Sequence, residues 1–346
     1  MIELEKILAF DVLVRDKDER EKIALAQQWG IDYEEYKNRI VGKEKEAEFL
    51  AIMESLGCLK HLEAFDESLS HITKEYTSDF SIELADGYKM MLEVKHTDND
   101  VFEISGGNLA KRIQFAERHG LPLRFAISIK GMWGVFTSET MKEKEGKIKI
   151  DDIYGKNSTS CLDSEFETCS YGFMKTIKIK SVYAKNHAKG MGIQFEQYGE
   201  LISYELYYDN KRIFRAKGKE SPFLAYTMIL EALHDRVANI NQQIETKGEY
   251  TIIIDDTEGT NIQIIPEYKF LLAPILHSQK LLDDKRINYN IKMAVSDREF
   301  PFLDVRILRA TMSDLCRLGM DIVVFKNCDG YKFSDFEKIF WTKPSR

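Results

Sequence analysis

The sequence predicts an α/β protein, with a mixed sheet flanked by helices in the first half of the chain and an α+β region after it. Three observations within residues 42–137 lead to this prediction. A helix that ends at Gly57 comes first, and two strand-like runs follow on either side of Asp86-Gly87. A second helix ends at Gly120 and leads into a continuous apolar strand. We predict that these five elements belong to a core with the order αβββαβ, which contains one further strand.

The first helix is predicted over residues 42–57. Its apolar stripe contains Phe49, Leu50, Met53 and Leu56. Extending the stripe by one turn toward the N-terminus reaches Glu46, which is therefore expected to point inward. The alternative is that Glu44, Glu46 and Glu48 simply complement the positive end of the helix dipole. Both interpretations of Glu46 stay open at this point.

The turn between the two strands decides whether their polar ends can form a site. Strand side chains alternate between faces, and directly opposed residues share a face. A two-residue turn would pair Phe80 with Glu93 and leave Asp79 facing away. A three-residue loop with Gly87 in the left-handed conformation would instead place Asp79 opposite Glu93. Lys95 would then lie on the same face, and we predict this three-residue loop.

The residue types gathered by this loop are those that metal-dependent hydrolysis of a phosphodiester requires. Carboxylate oxygens of Asp79 and Glu93 suit Mg²⁺ or Mn²⁺, and the backbone carbonyl of Val94 is a further candidate ligand. Such a metal polarises the phosphate and lowers the pKa of a bound water. Lys95 can orient that water or stabilise charge that develops on the phosphate. Glu46 is a fourth candidate catalytic residue, which would tune the metal site.

The Glu-x-Lys pattern alone is weak evidence, because 31% of the residues in this chain are charged and the triplet recurs. The serious rival is the Glu-Tyr-Lys triplet at residues 267–269, which follows the strand-like run 252–256. Pro266 stands directly before that glutamate, and proline cannot donate a hydrogen bond within a central ladder. The pair formed by Glu93 and Lys95 is therefore favoured.

The second helix, predicted over residues 108–120, follows the candidate catalytic strand. Lys111, Arg112 and Gln114 lie near the start of this helix, where their side chains could contact phosphates. We interpret these three as candidate nucleic-acid-binding residues. The alternative for at least two of them is an ordinary solvated helix face.

This order of elements resembles the PD-(D/E)xK nuclease superfamily, which has the restriction-endonuclease-like fold. The similarity is greatest to the group that contains archaeal Holliday-junction resolvases and Mrr-type restriction nucleases, and it covers about residues 40–137. The resemblance implies that Asp79 and Glu93 are metal ligands, that Lys95 is the catalytic lysine and that Glu46 is the helix glutamate.

Two further positions bear on this resemblance. Members of the superfamily often carry a glutamine on the helix after the catalytic strand, and Gln114 would match it. Many members carry proline before the first aspartate, where this chain has Ser78. That position varies within the superfamily. The resemblance therefore implies the chemistry more directly than the biological role.

Composition sets outer limits on the function. The net charge of −8 argues against broad coating of nucleic acid, although a local basic groove and an acidic nuclease site are compatible with it. The five cysteines are scattered without metal-ligand spacing, which favours a reducing compartment, hence the cytoplasm. We expect no signal peptide and no membrane-spanning segment. We also expect no nucleotide cofactor, because no Walker-type glycine loop occurs.

The chain is predicted to divide into four parts. These are an N-terminal helical extension, the nuclease core, a polar linker and an α+β domain for substrate recognition or dimerisation, over residues 1–40, 41–140, 141–172 and 173–346. A long helix is expected from Ser221 to Gln243. Basic stretches at 175–189 and 211–219 are interpreted either as a DNA-facing surface or as protected, solvated strands.

Together these observations predict a metal-dependent deoxyribonuclease that acts on duplex or branched DNA. A homodimer would suit cleavage of both strands. The resemblance allows a role in restriction, defence or recombination, and the residues do not choose among these roles. The alternatives are a catalytically inactive binding scaffold of the same fold and an RNA-directed nuclease with the same chemistry.

Overall fold

The computed structural model describes most of the chain. The described residues are 10–11, 13–14, 17–65, 76–153, 158–185, 190, 194–195, 197–217, 240–257, 263–271 and 305–325. They divide into two compact units, one formed by the described residues up to 53 together with 58–166, and the other by 54–57 and the described residues from 167 onward. No helix among the described residues is long and apolar enough to cross a membrane.

The first unit contains six helices in the described residues. They are α1 Glu19–Trp29, α2 Tyr33–Leu56, α3 Gly106–Arg118, α4 Ser138–Glu143, α5 Ile150–Ile153 and α6 Leu162–Glu165. Local chemistry sets their ends: Asp18 and Glu21 form a capping box at the start of α1, and Gly30 ends that helix in the left-handed conformation. Ser105 caps α3. The helix predicted to begin at residue 42 begins nine residues earlier.

The described residues of the first unit also contain seven strands. They are β1 Leu59–Ala64, β2 Phe80–Leu84, β3 Lys89–Thr97, β4 Val101–Glu103, β5 Leu123–Ile129, β6 Met132–Thr137 and β7 Lys147–Lys149. Five of them form one sheet in the order β1-β2-β3-β5-β6. Only the β3–β5 pair is parallel, so the sheet is mixed, and α3 is the crossover between these two strands.

Helices cover both faces of this sheet. Phe125, Ile127 and Phe136 belong to one apolar cluster with Leu109 and Ile113 of α3. On the other face, Phe49 of α2 packs against Trp133, with ring centroids 4.9 Å apart. This buried arrangement of helix, sheet and helix holds the strand ends in fixed positions.

The hairpin between β2 and β3 has the predicted three-residue loop. Phe80 pairs with Leu92, and Glu83 pairs with Lys89. The Leu84 N–H donates to the Tyr88 carbonyl at 2.8 Å, and Gly87 has φ +90°. The prediction that Asp79 lies opposite Glu93 is therefore confirmed, because the register continues by one step beyond the paired residues.

Within the segment predicted to be a linker, residues 141–153 and 158–166 contain β7, α5 and α6. β7 pairs with β4, and the Cys161 N–H donates to the Val135 carbonyl of β6 at 2.8 Å. The buried carboxylate of Asp152 accepts hydrogen bonds from Lys144 and from the Lys149 N–H. The polar composition suggested a linker because hydrogen bonds between the backbones of distant segments do not depend on how polar the side chains are.

The second unit is built mainly from antiparallel strands. Its strands are β8 Ser170–Phe173, β9 Ile177–Ala184, β10 Gln194–Phe195, β11 Gly199–Tyr208, β12 Lys211–Lys217, β13 Ile240–Lys247, β14 Tyr250–Thr257, β15 Gln263–Pro266 and β16 Ile322–Phe325. One sheet has the order β10-β11-β9-β14-β13, with β12 on β11, and a smaller sheet has the order β15-β8-β16. The helix α7, Val305–Arg317, supplies Leu308, Met312 and Leu315 to the core.

The long helix predicted from Ser221 to Gln243 lies mostly outside the described residues. Its last four residues, 240–243, are the start of β13 and not helix. They pair with residues 254–257 of β14 along a continuous antiparallel ladder. Cross-strand pairing therefore overrides the helical pattern at this end.

Candidate active site

The candidate site is formed where β2 begins and β3 ends. Asp79 directly precedes β2, and Glu93 and Lys95 lie on β3 with one residue between them. Asp79 is almost fully buried and Glu93 fully so, with 6% and 0% of their surfaces exposed. The Val94 N–H donates to Asp79 Oδ2 at 2.7 Å, which fixes this carboxylate against β3.

The Lys95 ammonium group lies between the two carboxylates. Its Nζ atom is 3.2 Å from Asp79 Oδ2 and 2.7 Å from Glu93 Oε1, so these two oxygens are at most the sum of the distances, 5.9 Å, apart. Nζ also donates to the Val94 carbonyl at 2.9 Å. Three oxygens from two strand ends therefore converge on one cationic atom.

A second set of contacts holds Glu93 from the side of α3. Arg112 Nε donates to Glu93 Oε1 at 2.8 Å, and the Tyr76 hydroxyl donates to Glu93 Oε2. The Arg112 guanidinium carbon also lies 4.3 Å from the centroid of the Tyr76 ring. We call Tyr76 and Arg112 the glutamate clamp, since both oxygens of Glu93 accept hydrogen bonds from it.

Burial and charge set the protonation of this cluster. Burial and the neighbouring charge of Glu93 raise the pKa of Asp79 to about 7, although Lys95 acts in the opposite direction. Burial alone would raise the pKa of Glu93, but Lys95 and Arg112 hold it below its ordinary value. Burial alone would lower the pKa of Lys95, and the charges of Glu93 and Asp79 raise it instead. The cluster therefore keeps Glu93 and Lys95 ionised, whereas Asp79 titrates near neutral pH.

Glu46 of α2 lies close enough to influence Asp79. Its charge contributes to the raised pKa of Asp79, and its own carboxylate pairs with Lys43 at 2.9 Å. The neighbouring Glu48 has a different role, because its Oε1 accepts a hydrogen bond from Trp133 Nε1 at 2.8 Å. Of these two glutamates, Glu46 is thus the one whose charge acts on the site.

The three candidate nucleic-acid-binding residues of α3 do not lie on one face of the helix. Arg112 is turned into the site as part of the glutamate clamp, whereas Lys111 and Gln114 are exposed. Residues 112 and 114 are two steps apart, which puts them on different sides of a helix. A signal for the role of Arg112 was present in the sequence, since it lies three residues after the buried Leu109 and four before the buried Ala116.

Tyr76 was not predicted as a site residue. It lies three residues before Asp79, outside both strands, and no periodic pattern includes it. Its ring packs edge-on against Phe115 of α3, with centroids 6.2 Å apart. This packing and the contact with the Arg112 guanidinium hold the Tyr76 ring beside Glu93.

The donor set fits a small divalent cation with few protein ligands. Within the described residues, no group of three or more His, Cys, Asp or Glu side chains could hold a metal ion. The oxygens that converge on Lys95 Nζ are nevertheless those proposed from the sequence, two carboxylates and the Val94 carbonyl. Mg²⁺ commonly binds through one or two carboxylates and keeps several waters, so this oxygen set suits it.

The rival Glu-Tyr-Lys triplet does not form a comparable site. Residues 267–271 are helical, so Glu267 and Lys269 point in different directions. Glu267 is fully buried, and its carboxylate accepts hydrogen bonds from Arg309, Tyr171 and Thr168. Glu267 therefore forms a bidentate ion pair with the guanidinium group of Arg309.

The first unit thus has an α/β fold with a mixed sheet flanked by helices, and its polar cluster lies at the strand ends. No family model matches the chain, and no curated protein matches it. Among solved structures, the chain is similar to Hjc, a Holliday junction resolvase from the archaeal hyperthermophile Archaeoglobus fulgidus. The identity is 16%, and the TM-score is 0.28 over 32% of this chain and 91% of that chain.

Proposed function

We propose that this protein is a metal-dependent nuclease of the PD-(D/E)xK type that hydrolyses phosphodiester bonds of DNA. The observation that carries the proposal is the convergence of three oxygens on one cationic atom. Asp79 Oδ2, Glu93 Oε1 and the Val94 carbonyl all lie within 3.2 Å of Lys95 Nζ. Two buried carboxylates in this proximity repel each other unless a cation lies between them.

Asp79, Glu93 and the Val94 carbonyl would hold Mg²⁺ or Mn²⁺ in this site. When bound, the metal polarises the phosphate and lowers the pKa of a water that attacks it. Lys95 stands beside the same carboxylates, and its ammonium group can orient that water and offset the charge that develops on the phosphate. Glu46 adds negative charge at the edge of the site, which favours a divalent cation.

The glutamate clamp of Tyr76 and Arg112 orients Glu93 in this proposal. Arg112 Nε and Lys95 Nζ both contact Glu93 Oε1, and the Tyr76 hydroxyl donates to Glu93 Oε2. Neither clamp residue needs to contact the substrate. We therefore regard Arg112 as a positioning residue, in place of the phosphate contact expected from the sequence.

One observation favours a second candidate function, a catalytically inactive scaffold that binds nucleic acid or protein. Glu93 is fully buried, and Tyr76, Arg112 and Lys95 together satisfy both of its oxygens without a metal. In this alternative the cluster is a structural ion network. The two functions differ in whether a divalent cation can replace the contacts that Lys95 makes.

The test is cleavage of plasmid, linear duplex DNA, branched DNA and single-stranded RNA with Mg²⁺ or Mn²⁺, run beside Lys95→Ala. The matched control is Lys89→Ala, which removes an exposed lysine from the same face of the same strand. Cleavage that is lost in EDTA and in Lys95→Ala, but kept in Lys89→Ala, supports the nuclease and identifies its substrate class.

Two results would contradict the proposal. The first is no cleavage of any substrate by the wild-type protein together with no heat of Mn²⁺ binding in calorimetry, which would favour the scaffold. The second is cleavage that survives Lys95→Ala, which would place the activity elsewhere. Cleavage of RNA alone would keep the chemistry and replace DNA as the substrate.

A further inference from the structure

The large sheet of the second unit has two unlike faces. One face is apolar and buried, and it contributes Ile177, Ile179, Tyr204, Leu206 and Ala216 to the core of this unit. The residues between them on the same strands must point the other way, because side chains alternate along a strand. We call this opposite side the outer face.

The strand register arranges the outer face in three rows that run across β12, β11 and β9. The rows are Arg212–Tyr207–Lys178, Arg215–Glu205–Lys180 and Lys217–Ser203–Val182. Every row has a cationic residue on β12, and two rows have a second one on β9. The two basic stretches of the sequence, which are separated by β11, therefore meet on one side of one sheet.

The positive charge of this face is only partly compensated. Glu205 pairs with Arg212 at 3.3 Å and with Arg215 at 3.0 Å, so a single carboxylate serves two guanidinium groups. Lys178 pairs with Asp256 of the neighbouring β14 at 2.9 Å. Five cations thus face three carboxylates on these four strands, namely Glu205, Asp256 and Glu200, which pairs with Ala184 beyond the third row. The whole chain, in contrast, has a net charge of −8.

The outer face is accessible, and its arginines are held in place. The side chains of Arg212 and Arg215 are 48% and 42% exposed, and Lys178 is 31% exposed. Glu205 itself is only 9% exposed and also accepts a hydrogen bond from Tyr207 at 2.6 Å. A buried carboxylate beneath two exposed guanidinium groups fixes their positions, which reduces the entropy lost when they bind an anion.

The dimensions suit a stretch of nucleic-acid backbone. Three rows two residues apart span about 13 Å along the strands, and two strand spacings place the cations of β9 and β12 about 10 Å apart. One strand of duplex DNA carries a phosphate about every 3.4 Å along its axis, so this patch would face roughly four phosphates of one strand.

We propose that the outer face of β9, β11 and β12 binds the phosphate backbone of duplex DNA. This inference deepens the proposed nuclease function, because it names a surface that holds the substrate apart from the catalytic cluster. The cations of this face contact phosphates without reading bases, so the contribution to affinity is independent of sequence and sensitive to salt.

The experiment measures binding of a fluorescently labelled duplex DNA of about 30 base pairs by the full chain in EDTA, using anisotropy over about 50–200 mM salt. The test variant carries Lys180→Gln, Arg215→Gln and Lys217→Gln. The control variant carries Lys60→Gln, Lys89→Gln and Lys147→Gln, which removes the same charge from three exposed lysines of the first unit. A third variant exchanges charge for charge on the face, with Lys180→Arg, Arg215→Lys and Lys217→Arg.

We expect the test variant to bind DNA about tenfold or more weakly at about 100 mM salt, with a salt slope that is smaller by roughly two to three. The control and the charge-exchange variants should bind within about twofold of the wild type. The double variant Lys180→Gln/Lys217→Gln leaves the ion pairs of Glu205 intact, so it guards against a folding defect and should show an intermediate loss.

Equal weakening in the test and control variants would overturn the inference, because net charge alone would explain it. Unchanged binding in a folded test variant would overturn it as well. Duplex RNA serves as a second probe, and binding of RNA with no binding of DNA would reject DNA as the partner. Since EDTA prevents cleavage, this result is independent of whether the nuclease proposal holds.

Discussion

Among the described residues, two glutamates are fully buried, Glu93 and Glu267, and both belong to Glu-x-Lys triplets and yet have different surroundings. Glu93 lies on a strand, so Lys95 shares its face and Asp79 meets both from the neighbouring strand. Glu267 begins a helical segment, and its carboxylate pairs with a single guanidinium group, that of Arg309. The secondary structure around a triplet, and not the triplet itself, decides whether its charges converge.

The two clusters also differ in charge balance. Arg309 donates two hydrogen bonds to Glu267, which gives one cation for one carboxylate. At the other cluster Glu93 pairs with both Arg112 and Lys95, whereas Asp79 pairs with Lys95 alone and shares it with Glu93. The pKa of Asp79 is raised to about 7 by burial and by the charge of Glu93. The bidentate pair satisfies its carboxylate, whereas Asp79 keeps a carboxylate whose ionised form a further cation would stabilise.

The largest expected effect concerns activity. Glu93→Gln removes a proposed metal ligand and should lower cleavage about a thousandfold or more, because charge stabilisation in the transition state is lost. Glu267→Gln should leave the rate per folded molecule within about twofold. The rates are measured on plasmid DNA with Mg²⁺. If both variants are folded and lose cleavage activity to a similar extent, the proposal that only Glu93 serves the active site would be contradicted.

The next effect concerns stability. Glu267→Ala leaves Arg309 without its buried partner and should lower the free energy of unfolding by about 3–5 kcal/mol. Urea denaturation monitored by circular dichroism measures this loss. The double variant Glu267→Leu/Arg309→Met replaces both charges and should recover part of it. A loss below about 1 kcal/mol for Glu267→Ala would contradict a structural role for this pair.

The glutamate clamp provides a third test. Arg112→Ala should weaken Mn²⁺ binding about 10- to 100-fold, as expected for a residue that orients a metal ligand. Affinity for DNA in EDTA should change by less than about twofold. Arg112→Lys should recover part of the metal affinity. The reverse pattern, weaker DNA binding at unchanged Mn²⁺ affinity in calorimetry, would return Arg112 to the phosphate-contact role predicted from the sequence.

Another effect depends on pH. Because the pKa of Asp79 is about 7 in the folded protein and lower when unfolded, the folded state binds the extra proton, and stability falls as pH rises toward and past 7. Asp79→Asn removes this loss and should stabilise the metal-free protein by about 4 kcal/mol near pH 8, at about 1.4 kcal/mol for each unit by which the pKa is raised. Near pH 4 the gain should vanish. Thermal unfolding in EDTA at the two pH values measures the difference, and an equal gain at both would contradict the assignment.

The smallest effect tests the turn that aligns the site. Gly87→Ala places a side chain at φ +90° and should cost about 1 kcal/mol of unfolding free energy. Gly106→Ala is the control, since Gly106 lies in the first turn of α3 with open space around it and no positive φ. Thermal unfolding compares the two. A similar result at both positions would mean that the loop tolerates other conformations.

The sequence predicted the local part of this site correctly. The alternation of β2 and β3 with a glycine in a three-residue loop placed Asp79 opposite Glu93, and the structure has this register. It predicted both glycine-terminated helices, although α2 begins earlier than expected. Its polar composition at residues 141–172 did not indicate β7, which pairs with β4.

The sequence alone therefore determined which carboxylates and which lysine meet, because strand alternation and turn length are local properties. The tertiary structure alone decided what surrounds them. Tyr76 and Arg112 reach Glu93 through the packing of α3 on the sheet, and β9 and β12 join their cations only because β11 lies between them. Contacts between elements distant in the chain depend on packing and register, which periodicity and spacing do not encode.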